Sequence, residues 1–140
     1  MAGIRIGYAM GNPDLIKALN DVKYSYNSYT MNYPSIVLGV ESIKDDTYFR
    51  ETVAKVVATR EWFEKELTRL KFTYLPSSSN FVFASHESIP AKVIFERAKE
   101  QGIFVRYFDK PRINNYLRIT IGTDEEMKQF VCFLEQLIAE

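Results

Sequence analysis

The chain holds little of what the commonest protein chemistries require. Its single cysteine, Cys132, lies in an apolar helical pattern with no partner, which rules out an internal disulfide framework and fits a reducing, cytoplasmic setting. Its single histidine, His86, excludes the usual His/Cys zinc patterns, and any His-assisted catalysis would rest on it alone. His86 stands in Ser85-His86-Glu87-Ser88, a loop-like stretch, and is expected to be an exposed bystander. There is no charge of one sign to draw on: 18 basic and 18 acidic side chains cancel, so a nucleic-acid partner is not expected. No apolar run approaches a membrane span, and no basic region followed by a long apolar stretch marks a secretory signal. Glycine-rich phosphate loops are also missing, because Gly3, Gly7 and Gly11 are spread along a strand-like pattern rather than clustered before a helix.

What remains is enough for a core. With 140 residues, 46% of them hydrophobic, the default is a single core. The most sharply patterned stretch is Tyr116 to Thr123. Leu117, Ile119 and Ile121 alternate with Tyr116, Arg118 and Thr120, as in a half-buried strand. Gly122 breaks it, and Thr123-Asp124-Glu125-Glu126 reads as a capping box opening a helix that buries Met127, Phe130, Val131, Leu134, Leu137 and Ile138.

The N-terminal part reads differently. Ala2 to Met10 alternates, with Ile4, Ile6, Tyr8 and Met10 on one face and Arg5, Gly7 and Ala9 on the other, which predicts a strand. Asn12 caps a helix begun by Pro13, with the stripe Leu15, Ile16, Leu19, Val22 and Tyr26. Tyr24 to Tyr33 has no period, and a second helix is expected from Pro34. Asp45 or Asp46 then caps a long helix over about Thr47 to Leu70, long enough to bridge two lobes.

From Phe72 the order is ββαββα: strands at Phe72–Leu75 and Asn80–Ala84, a helix from Ser88-Ile89-Pro90 to Gly102, a strand at Ile103–Phe108, a polar loop, and the last strand and helix. This predicts an α/β (α+β) fold, with a mostly antiparallel sheet of about four strands and helices on one face. The strand near the N-terminus is then an orphan, without a sheet of its own.

No Ser/His/Asp or Cys/His set is available for self-contained catalysis. Three arginines at strand positions stand out: Arg5, Arg106 and Arg118, each with small, aromatic or polar neighbours. A guanidinium fork matches carboxylate and phosphate geometry, so the residues alone describe an anion-binding α/β protein.

Four segments carry a more specific signal. Ala2-Gly3-Ile4-Arg5-Ile6-Gly7-Tyr8-Ala9, Pro76-Ser77-Ser78-Ser79-Asn80-Phe81-Val82-Phe83, Gly102-Ile103-Phe104-Val105-Arg106 and Tyr116-Leu117-Arg118-Ile119-Thr120-Ile121-Gly122-Thr123 resemble, in order, the C-terminal part of histidinol-phosphate aminotransferases. These are fold-type I enzymes dependent on pyridoxal 5′-phosphate. The resemblance implies a cofactor-phosphate role for Arg5 and a substrate-anion role for Arg118, with Arg106 in the same pocket. It also implies that residues 1–45 are the end of the large cofactor domain with an inter-domain segment, and that 46–140 form the small C-terminal domain.

The orphan strand would then be the last strand of a sheet lying in the large domain. The Schiff-base lysine of the family has no counterpart here, so the chain is expected to be a C-terminal portion, inactive alone and binding the cofactor weakly or not at all. Its expected partners are the N-terminal large domain, a second subunit in the parent homodimer and a small phosphorylated amine substrate. Two other readings stay open. One is a same-fold threonine-phosphate decarboxylase or aromatic aminotransferase. The other is a non-catalytic α/β binding or interaction module.

Overall fold

The computed structural model describes residues 2–140, which form two compact units, one ending at Arg50 and the other beginning at Glu51. Among the described residues no helix is long and apolar enough to cross a membrane.

The first unit contains a 3₁₀ turn at Ala2–Ile4, helix α1 at Pro13–Tyr26 and helix α2 at Tyr33–Lys44. Both helices start as their residues dictate. The Asn12 side chain accepts the Asp14 N–H and the Asn32 side chain accepts the Ser35 N–H, each with proline in the first turn. The strand expected over Ala2 to Met10 does not form: after the 3₁₀ turn, residues 5–12 have no regular structure. A strand exists only as part of a ladder, and this unit supplies no neighbour to complete one.

The apolar stripe of α1 is likewise uncovered. Leu15, Leu19 and Val22 are exposed, and α1 has no buried residue. The amphipathic pattern therefore selects the helix here without providing a core to hold it.

The second unit is built around a sheet of four antiparallel strands, β1 (Phe72–Leu75), β2 (Phe81–His86), β3 (Arg106–Tyr107) and β4 (Leu117–Thr120), in the order β1-β2-β4-β3. Helix α3 (Asp46–Arg69) belongs to this unit from Glu51 onward, α4 (Ala91–Glu100) joins β2 to β3, and α5 (Asp124–Ala139) follows β4. The ββαββα order read from the sequence is thus the order found. The Asp45 carboxylate accepts the Tyr48 N–H at the start of α3. Gly102, with φ 75°, ends α4: its N–H and that of Ile103 reach back to Lys99 and Ala98. The capping box of α5 closes in both directions between Thr123 and Glu126.

The core gathers on one face of the sheet. Val82 lies opposite Ile119 and Ala84 opposite Leu117, all inward. Phe63 and Leu67 of α3, Ile94 and Ala98 of α4, and Phe130 and Leu134 of α5 complete it. Within α5 Phe133 is also buried, whereas Ile138, expected inside, is exposed in the last turn.

The third strand, expected over Ile103 to Phe108, is only Arg106–Tyr107, because residues 103–105 carry no ladder. His86 also corrects the reading of the sequence. It closes β2, is 5% exposed, and meets the Phe72 ring edge-on at 4.8 Å. Its Nδ1 accepts the N–H groups of Ser88 and Ile89, so the ring anchors the turn into α4. Polar flanks suggested a loop, yet Val82, Ala84 and His86 share one strand parity, and that parity takes the ring inward.

One tie was not visible locally. Pro90 precedes α4 without a side-chain cap, and Asn115, from the loop between β3 and β4, supplies one instead. Its Oδ1 accepts the Ala91 N–H at 3.0 Å, and its Nδ2 donates to the buried Ser85 hydroxyl at 3.0 Å. Asn115→Ala is expected to cost about 1–2 kcal/mol in urea unfolding, the range for a lost cap and a partly buried hydrogen bond. Asn115→Asp, which keeps the acceptor but not the donor, should cost less. No loss in either variant would show the tie to be dispensable.

Candidate anion-binding site

The face of the sheet opposite the core carries the cations. Side chains alternate along β4, so burying Leu117 and Ile119 turns Arg118 and Thr120 outward. On one side Arg118 is opposite Phe83 of β2, and on the other it is opposite Arg106 of β3. The register thereby sets the two arginines side by side, both exposed.

Like charges placed directly opposite on a sheet repel. The ion pairs among the described residues involve other cations, so neither Arg106 nor Arg118 has a carboxylate within salt-bridge distance. What surrounds them instead is aromatic. The Arg118 guanidinium lies 5.6 Å from the Phe81 ring and 6.0 Å from the Phe108 ring, and that of Arg106 lies 5.3 Å from Phe108. Phe83 stacks on Tyr116 at 4.8 Å and meets Phe108 near its edge at 6.4 Å. The loop leading into β2 is held by hydrogen bonds: Ser77 donates to the Phe81 carbonyl at 2.7 Å, and Arg60 donates to the Ser79 carbonyl at 2.8 Å.

Two forks on an apolar platform, with no internal counter-charge, form an arrangement suited to a small dianion. Of the rings, Phe81, Phe83 and Phe108 were not singled out by the sequence. The usable signal was parity, since Phe81, Phe83, Arg106, Phe108, Tyr116 and Arg118 all fall on outward positions.

Arg5 belongs to the first unit and is not part of this pair. Its φ of 58° is left-handed, an unusual conformation for a side chain other than glycine. It lines a shallow concavity with Gly3, Thr30, Asn32 and Ser35, at the N-terminal end of α2. Buried Ser35 donates to the Ile4 carbonyl at 3.5 Å and holds this segment against the helix start. A cation beside the positive end of a helix is favourable to an anion.

Comparison with known proteins identifies the family of the chain. Residues 1–134 match the model of the family described as aminotransferase class I and II. The chain is 51% identical over 138 residues to the histidinol-phosphate aminotransferase of Brachyspira hyodysenteriae, covering 99% of this chain and 39% of that protein. It is 54% identical over 127 residues to the enzyme of the same name from Clostridium beijerinckii, covering 91% and 36%. Among solved structures, the histidinol-phosphate aminotransferase of Sinorhizobium meliloti, in complex with pyridoxal-5′-phosphate, superimposes with a TM-score of 0.84 at 25% identity, over 99% of this chain and 38% of that one. The chain therefore spans 36–39% of the length of these curated relatives. Its match to the family over nearly all its residues, on a fold shared with a solved member, leaves one assignment: this chain belongs to the class I and II aminotransferases.

Proposed function

We propose that this chain is the C-terminal portion of a histidinol-phosphate aminotransferase, working in amino transfer between glutamate and imidazole-acetol phosphate. The observation that carries this reading is the pairing of Arg106 with Arg118 across β3 and β4, with no carboxylate among the described residues to neutralise them. A phosphate monoester has the charge and acceptor oxygens to satisfy both forks at once, whereas a single carboxylate needs only one. Arg118 and Arg106 therefore bind and orient the substrate phosphate, and the rings of Phe81 and Phe108 give the charged contact an apolar side.

Pyridoxal 5′-phosphate, when bound, supplies the electron sink for chemistry at the amino-bearing carbon. The setting of Arg5 fits the phosphate end of that cofactor: a cation without an ion-pair partner among the described residues, beside the start of α2. No residue of this chain is assigned the role of the cofactor-bearing lysine, so the chain by itself is inactive and binds the cofactor weakly. Residues 1–45 then belong with the large cofactor domain and 46–140 with the small one, in a homodimeric cytoplasmic enzyme.

A chimera tests the reading. The chain is joined to the N-terminal segment that its Brachyspira hyodysenteriae relative has in addition, and is assayed with histidinol phosphate and with histidinol. Transamination of histidinol phosphate is expected, with kcat/KM lower by about tenfold or more for histidinol, the cost of leaving a charge-assisted contact unmade. A folded, cofactor-loaded chimera that uses both amines equally, or that decarboxylates phosphothreonine instead, would overturn it.

A further inference from the structure

We propose that Phe108 is a positioning residue, which holds Arg106 and Arg118 convergent for a phosphate dianion by offering both guanidinium groups one ring. The proposal rests on the reading of these arginines as anion contacts and adds the reason they converge.

Register alone places the two arginines opposite each other, and their mutual repulsion would then drive the flexible side chains apart. In most proteins a carboxylate between them would solve this. Such a carboxylate would also have to be displaced by every incoming anion, and none stands there among the described residues. A ring solves it differently. Its negative face attracts both cations without consuming their hydrogen-bond donors, so the forks stay together and stay available. Phe108 is the ring that lies near both, at 5.3 Å from Arg106 and 6.0 Å from Arg118.

Its own placement is constrained from below. Phe83 approaches it near edge-on at 6.4 Å, and Phe83 is in turn stacked on Tyr116 at 4.8 Å. Phe108 follows directly on β3, one residue beyond Tyr107, whose ring packs inward on Phe95 at 5.8 Å. A backbone fixed by that inward ring leaves Phe108 to the outward face, where the cations are. Phe81, at 5.6 Å from Arg118, is near one cation only and has no such linking role.

The test uses the chain itself and inorganic phosphate, with the Nε–H signals of Arg106 and Arg118 followed by NMR in wild type, Phe108→Leu and Phe108→Tyr. In wild type, phosphate is expected to shift both signals along one saturable curve. Phe108→Leu keeps bulk and apolarity but removes the quadrupole, and should weaken phosphate about tenfold, the sum of two modest cation–π contributions. It should also uncouple the two signals, so that they no longer titrate together. Phe108→Tyr should restore both affinity and coupling, which a merely space-filling role would not demand. Unchanged core amide shifts certify the fold, and Phe108→Met replaces the leucine variant if that fold is lost.

Affinity and coupling in Phe108→Leu equal to wild type would overturn the proposal while leaving the two arginines as anion contacts. A folded Phe108→Tyr variant whose affinity and coupling are no better than those of a folded Phe108→Leu would also overturn it. Absence of any response at either arginine in wild type would instead sink the anion reading, and the proposal with it.

Discussion

Phe63→Ala should remove about 3–5 kcal/mol from the stability of the unit beginning at Glu51, the range for deleting a buried phenylalanine when the cavity cannot collapse. Phe63 is fully buried, and its ring lies 6.0 Å from that of Phe130 on α5. Leu67, one turn on, is equally inaccessible, and the core reaches from there to the inward face of the sheet. Elements fixed on several sides close poorly over a void, because the strands are tied by ladder hydrogen bonds and the helices by their caps. The measurement is urea unfolding of the variant against wild type, with the midpoint read at constant m.

A matched control sits in the other unit. Leu15, on the apolar stripe of α1, is 66% exposed, so Leu15→Ala should change stability by no more than about 0.5 kcal/mol. Both side chains belong to clear amphipathic patterns, and only one of them has anything to pack against. A loss below about 1 kcal/mol for Phe63→Ala would mean that the core is not where Phe63 and Phe130 place it.

If the chain works as proposed, Arg118→Ala in the complete enzyme should slow both half-reactions, with glutamate and with histidinol phosphate, while Arg106→Ala should harm the histidinol-phosphate half disproportionately. Histidinol phosphate carries a phosphoryl-oxymethyl group where an amino acid carries its α-carboxylate, so under the proposed function the two anions come to one place. Arg118, on the inner strand of the pair, is then the contact common to both. Phosphate is larger and more highly charged, and it gains most from the second fork, which the register supplies as Arg106.

Each lost charge-assisted hydrogen bond costs roughly 1.5–3 kcal/mol, or about one to two powers of ten in binding. Arg106→Lys should recover only part of the loss, because lysine keeps the charge but not the fork. Stability should scarcely move in either alanine variant, since removing one member of a like-charged cross-strand pair takes away a repulsion. Single-turnover kinetics of each half-reaction, beside the unfolding midpoint, read these effects separately. Equal losses in both halves for Arg106→Ala would refute its assignment as the phosphate-favouring contact.

The sequence by itself determined whatever depends on neighbours along the chain. Asn12 and Asn32 cap helices because a short side-chain acceptor can reach the next turn, Thr123 and Glu126 close their box for the same reason, and Gly102 ends α4 because it tolerates φ 75°. Strand parity was legible too: Leu117 and Ile119 are inside, and Arg118 is therefore outside. Tertiary structure decided what depends on residues distant in sequence. Ile4 to Met10 alternates like a strand but is none, since alternation gives a face and a ladder needs a second chain segment beside it. Polar flanks made His86 look exposed, whereas pairing with Phe72 across the sheet buries it. Asn115 caps a helix that starts 24 residues before it, which no local pattern announces. The adjacency of Arg106 and Arg118 came from register: 12 residues apart in the chain, they become neighbours only because β3 and β4 pair at that one offset, and a slip of one residue would turn one of them to the core.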